Sequence, residues 1–120
     1  MRIMVVDDNL DTLEIFSTFL ELWGHEVRAV QQASLALSTA LEILPDLVFL
    51  DLSMPEIDGG QIARLMRRES GLGEVVLVAV TGHSLDESQI KEEGFDTLLL
   101  KPVEPQRLRH FVEGLSKAER

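Results

Sequence analysis

An α/β fold, a (βα)5 doubly wound five-stranded parallel sheet, is predicted by three observations. Five short apolar runs rich in β-branched residues recur at 2–6, 26–30, 46–50, 74–80 and 96–100. Three of them, Ile3-Met4-Val5-Val6, Leu47-Val48-Phe49-Leu50 and Val75-Val76-Leu77-Val78-Ala79-Val80, are apolar almost without alternation, as parallel strands covered on both faces are. Their starts lie roughly 20 to 28 residues apart, room for a strand and one crossover helix each time. A closed barrel needs eight such units and about 250 residues; this chain has 120.

Helical periodicity fills the intervals. The first helix, 11–23, sets Leu13, Phe16, Leu20 and Trp23 on one face, with Gly24 placed to end it in a left-handed cap. Ala33, Ala36, Leu37, Ala40, Leu41 and Leu44 form the core stripe of the second. Ile62, Leu65 and Met66 mark a third after Gly59-Gly60, where Gly59 is expected to supply a positive φ before the helix. The fourth, 85–93, has only Leu85 and Ile90 as anchors and ends at Gly94. Leu108, Phe111, Val112 and Leu115 give the fifth. No linker, repeat or low-complexity tract interrupts the pattern, so one domain is expected over 1–120.

Composition removes several function classes. There is no cysteine, which excludes a disulfide framework, thiolate metal ligands and a Cys nucleophile. Eleven basic against 21 acidic residues give a net charge of −10, which repels a phosphate backbone and argues against direct nucleic-acid binding. The apolar runs are far shorter than the roughly 20 residues that span a bilayer, and no basic, then apolar, leader opens the chain. A cytoplasmic location without membrane insertion is expected. Glu87, Glu92 and Glu93 read as a solvated face or one that steers a basic partner.

In an open parallel sheet, ligands sit beyond the carboxyl ends of the strands. The residues there are Asp7 and Asp8 after the first strand, Asp51 after the third, Thr81-Gly82 after the fourth and Lys101-Pro102 after the fifth. A lone Asp at such a place commonly caps a helix or a turn; agreement of four strand ends is another matter. Two unit charges about 4 Å apart repel by on the order of 4 kcal/mol at an effective dielectric near 20, and Lys101 offers a single positive charge. Raised carboxyl pKa values or a hard divalent cation must make up the difference, and Mg2+ suits an all-oxygen set. A carboxylate next to a cation and an ammonium is a competent nucleophile toward a phosphoryl group, with the Thr81 hydroxyl able to donate to one of its oxygens.

Those residues carry a resemblance. Val5-Val6-Asp7-Asp8-Asn9, Leu50-Asp51-Leu52-Ser53-Met54-Pro55-Glu56-Ile57-Asp58-Gly59, Thr81-Gly82 and Lys101-Pro102 stand in the order and spacing of the receiver domains of two-component response regulators. The match covers essentially the whole chain. It implies the flavodoxin-like strand order 2-1-3-4-5, and a phosphorylation-controlled switch that takes a phosphoryl group from a histidine kinase or a histidine phosphotransfer protein onto Asp51. Asp8 and, through water, Asp7 are implied ligands of Mg2+ with Asp51 and the carbonyl of Ser53; Thr81 and Lys101 would contact phosphoryl oxygens. The domain would catalyse its own phosphotransfer and dephosphorylation without turning over an external substrate. A cis Lys101-Pro102 bond is implied as well.

Two positions depart from or refine that pattern. Leu98 occupies a place where the family usually carries Tyr or Phe, so the aromatic half of the familiar switch is missing and Leu98 reads as sheet packing. His83, two residues past Thr81, is either an idle loop residue or one that tunes phosphoryl lifetime. His25 and His110 lie among polar positions away from the carboxyl-end rim and are assigned no role.

Two rival readings fit the pattern less well. A Mg2+-dependent phosphatase of the haloacid-dehalogenase type also uses an Asp nucleophile, Thr and Lys, but requires a second Asp two residues after the first; here those positions are Asn9 and Leu10. A flavodoxin-like cofactor binder needs a phosphate-cradling loop where Asp7-Asp8 would repel the phosphate. Output by protein contact or phosphoryl transfer is expected of a free-standing receiver; a hybrid sensor kinase is the expected parent of an excised one.

Overall fold

The computed structural model describes residues 1–54, 58–83 and 86–118. Five strands alternate with five helices: β1 (Arg2–Val6), α1 (Leu10–Leu22), β2 (Glu26–Val30), α2 (Ala36–Ile43, entered through a 3-10 turn at Ala33–Leu35), β3 (Leu47–Asp51), α3 (Gly59–Arg68), β4 (Val76–Thr81), α4 (Glu87–Glu92), β5 (Thr97–Leu100) and α5 (Pro105–Ala118). All strand pairs are parallel, in the order β2-β1-β3-β4-β5. The predicted (βα)5 sheet and strand order are therefore what the chain adopts.

Strand alternation sorts the core into two layers. Met4, Val6, Val48, Leu50, Leu77 and Ala79 face α2, α3 and α4, packing on Ala36, Ala40, Ile62, Ala63, Met66 and Ile90. Ile3, Val5, Leu47, Phe49, Val78, Val80 and Leu99 turn the other way, onto Leu13, Phe16 and Leu20 of α1 and Leu108 and Val112 of α5. Phe49 meets Phe16 edge-on at 5.4 Å, a favoured aromatic geometry. Because β1 and β3 are central and buried on both sides, their near-continuous apolar sequences are accounted for.

Caps set the helix limits. The Asn9 side chain accepts from the Asp11 and Thr12 N–H groups to start α1, and Gly24 closes it at φ +93. Asp58 caps α3 and Asp86 caps α4 in the same way.

Several expectations need correction. Leu41 and Leu44 are 41% and 49% exposed: α2 has only eight residues and approaches the sheet through Ala36 and Ala40, with Leu37 and Ile43 half-buried beside them and Leu41 and Leu44 left outside. Gly59 does not take a positive φ; it is the first residue of α3, and the Leu52 side chain fills the space its Cβ would need. β3 and β4 each run one residue further than expected, so Asp51 and Thr81 belong to the strands themselves. The fourth helix is shorter, Glu87–Glu92; Leu85, its expected anchor, and Pro55 lie outside the described residues. Leu98 is half-buried against the α3-side core, as sheet packing requires.

Candidate functional site

The register dictates which side chains meet. Val6 pairs with Leu50, so the next residues, Asp7 and Asp51, emerge side by side although 44 positions separate them in the chain. Asp51 pairs with Val80 and Thr81 with Leu100. Thr81 and Lys101 therefore close the other side of the same rim.

One carboxylate oxygen from each of Asp7, Asp8 and Asp51 lies within 4.8 Å of the others. Asp7 and Asp51 are each 2% exposed, and Thr81 is 3%; Asp8 faces solvent. Lys101 reaches in between: its Nζ donates to Asp7 Oδ2 at 3.0 Å and lies 3.4 Å from Asp51 Oδ1. Its peptide bond to Pro102 is cis, as the resemblance implied.

Local backbone fixes each carboxylate. The Asn9 N–H donates to Asp7 Oδ1 at 2.9 Å and the Ser53 N–H to Asp51 Oδ1 at 2.9 Å. Each bond reaches two residues back, the Asx-turn geometry that follows an Asp at a strand end. Thr81 Oγ1 accepts from the His83 N–H at 3.2 Å. The Lys101 N–H donates to the Thr81 carbonyl at 2.7 Å, which ties the last two strand ends together.

The electrostatics follow from this crowding. Burial pushes the Asp7 carboxyl above its ordinary value and the Asp51 charge adds to that; the Asn9 N–H and Lys101 oppose it without prevailing. Enclosure sets the direction, since one ammonium is shared between two buried acids. For Lys101, burial acts to lower the pKa, but the hydrogen bond to Asp7 and the charges of Asp7 and Asp51 outweigh it and hold the ammonium more firmly than in free lysine. Three acids against one lysine leave an excess of negative oxygen. A hard cation with oxygen ligands fits that donor set better than any softer metal.

Asp7, Asp8, Asp51, Ser53, Thr81 and Lys101 are thus all at one rim, as the strand ends predicted. His83 is exposed beside Thr81. His25 is elsewhere, its Nδ1 3.0 Å from the amino terminus. Asn9 was missed as a positioning residue, although an Asn before a helical stripe is a recognisable cap signal. Also unseen was an apolar groove of about 410 Å3 lined by Thr12, Ile15, Phe16, Lys101, Pro102 and Val103, which opens directly beside the lysine. It depends on α1 and the β5–α5 loop meeting, which local patterns do not reveal.

Comparison with known proteins agrees with this geometry. The family described as the response regulator receiver domain matches residues 3–113. The DNA-binding response regulator MtrA of Mycolicibacterium smegmatis is 36% identical over 107 residues, 89% of this chain and 46% of that protein; the chain spans about half the length of such relatives. The polar-differentiation response regulator DivK of Brucella anthropi is 28% identical over 115 residues, 94% of this chain and 91% of DivK. Among solved structures, a putative response regulator from Chloroflexus aurantiacus superposes with a TM-score of 0.84 at 28% identity, covering 95% of both chains. Chemotaxis protein CheY4 of Vibrio cholerae shares the fold, with a TM-score of 0.88 at 24% identity over 94% of this chain and 96% of that one. With the acid cluster, the lysine and the strand order in agreement, the chain belongs to the receiver domain family of two-component response regulators.

Proposed function

We propose that residues 1–120 act as one receiver unit that accepts a phosphoryl group on Asp51. The observation that carries this reading is the pairing of Lys101 with both buried acids, Asp7 at 3.0 Å and Asp51 at 3.4 Å. Both donors to Asp51, Ser53 N–H and Lys101 Nζ, fall on Oδ1, which leaves Oδ2 to attack phosphorus. The Oδ2–P bond forms as the bond from phosphorus to the donor's nitrogen or oxygen breaks, and the leaving group takes that electron pair. Lys101 offsets charge on the phosphoryl oxygens, and the Thr81 hydroxyl donates to one of them while still accepting from His83.

Mg2+ would be held by Asp8, Asp51, the Ser53 carbonyl and, through water, Asp7. When bound it supplies charge neutralisation at the phosphoryl oxygens. The acyl phosphate is lost to water at the same site, so the domain catalyses its own cycle without an external substrate. The donor is a phosphohistidine on a kinase or phosphotransfer protein. The apolar groove is a fitting place for that donor's flank, because Lys101, which lines it, lies 3.4 Å from Asp51. The phosphatase reading has no support in the site: it needs an Asp nucleophile after the first strand with a second Asp two residues on, and Asn9 and Leu10 stand at those places.

Acetyl phosphate labelling read by intact mass tests this. We expect one phosphoryl adduct that requires Mg2+ and disappears in Asp51→Asn. An adduct that persists in Asp51→Asn, or steady hydrolysis of phosphate monoesters, would refute it.

A further inference from the structure

α4 is a weakly anchored helix. Of its six residues Ile90 is the only one described as buried, and the aromatic ring that usually reports from β5 is replaced by Leu98. What holds its far end is α3. Gly60, buried in the first turn of α3, leaves a hollow, and the Glu93 side chain lies in it: a Cβ built on Gly60 would stand 2.8 Å from Glu93 Cδ and 2.9 Å from Oε2. One residue later the Gly94 carbonyl accepts from Arg67 Nε at 2.9 Å, in the last turn of α3. The carboxylate also suits the amino-terminal end of α3, where backbone N–H groups favour negative charge.

The same helix start is in contact with the acceptor strand. Leu52, the residue after Asp51, packs its Cδ2 into the space a Cβ on Gly59 would need, and its N–H donates to the Val80 carbonyl at 3.0 Å. Two consecutive residues without side chains thus serve two close approaches, Leu52 onto Gly59 and Glu93 onto Gly60. Two successive glycines cost backbone entropy on folding; the paired contacts explain them. Close-packed neighbours cannot move independently.

We infer that Glu93, seated over Gly60, is a strut that makes α4 answer to the state of Asp51 through Leu52, Gly59 and Gly60, in place of a ring at position 98. The inference rests on reading Asp51 as the phosphoryl acceptor. A displacement of the Asp51–Ser53 segment on gaining a phosphoryl group is passed by Leu52 to the first turn of α3, and by Gly60 to Glu93 and the end of α4.

Amide hydrogen exchange over 88–94, with and without acetyl phosphate and Mg2+, is the test, with intact mass run on the same samples. In the wild type we expect phosphorylation to change exchange there by about threefold or more. In Glu93→Ala the adduct forms as in the wild type but this change disappears. Gly60→Ala, which displaces the carboxylate, gives the same result, and Glu92→Ala, an exposed neighbour, retains the response. A response of normal size in Glu93→Ala, one equally lost in Glu92→Ala, or none in the wild type despite a full adduct would overturn the strut. Absence of the wild-type adduct would instead sink the acceptor reading.

Discussion

Lys101 stands closer to Asp7 than to Asp51, 3.0 Å against 3.4 Å, so the ammonium bridges two buried acids and belongs to neither alone. Removing it strips the site of its resident positive charge. Lys101→Met is expected to slow phosphorylation by acetyl phosphate about 100-fold, the usual loss for one preorganised electrostatic donor. The rate of adduct formation at saturating Mg2+, with circular dichroism to show an intact fold, checks this.

Asp7 gives a pH dependence of defined sign. Its carboxyl titrates above the ordinary 3.8 because burial disfavours the charge, so between the two values the folded chain binds more protons than the unfolded one. Stability contributed by protonated Asp7 is present below 3.8 and is lost as pH rises through the folded value. With metal chelated, Asp7→Asn should therefore raise the thermal midpoint at pH 7 and flatten the decline between mild acid and neutrality. Melting curves in EDTA across that range would show it; a lower midpoint in Asp7→Asn would contradict the sign.

Metal should act as a stabilising ligand. A ligand at about 100 times its dissociation constant adds about 2.7 kcal/mol to the folded state. We expect Mg2+ to raise the wild-type midpoint by several degrees and to leave Asp8→Asn and Asp51→Asn nearly unmoved. A calorimetric titration of the same three proteins supplies the independent measurement.

Arg67 is a stability residue remote from the chemistry. Its guanidinium donates to the carbonyls of Gly94 at 2.9 Å, Gly73 at 3.0 Å and Val75 at 2.6 Å, and to Asp96 Oδ2 at 2.8 Å. Asp96 in turn accepts from the Leu77 N–H at 2.8 Å. Arg67→Met is expected to cost about 2 kcal/mol, below the full loss for a buried pair because Asp96 is partly solvated. Arg67→Lys should recover little, since a point charge cannot reach a fork's worth of acceptors. Urea unfolding gives the numbers.

The strand ends were legible because each acid, hydroxyl or ammonium follows directly on an apolar run, and a parallel sheet brings such positions to one rim whatever the loops do. Asp7, Asp8, Asp51, Thr81 and Lys101 needed no more than that. Leu41 and Leu44 misled because helical periodicity identifies a stripe without saying how much of it the sheet can cover. Gly59 misled for a related reason: a glycine before a helix resembles a turn residue, whereas here the demand is space for Leu52, a contact set by the tertiary fold. Arg67 and the Glu93 hollow were invisible in the same way, because their partners lie far along the chain.

The order of the strands decides where the charge balance of the rim comes from. The acids are supplied by the two strands that pair at the centre, and their counter-charge by an edge strand made last. A chain cut before β5 would keep Asp7, Asp8 and Asp51 but lose the ammonium that pairs with Asp7 and Asp51.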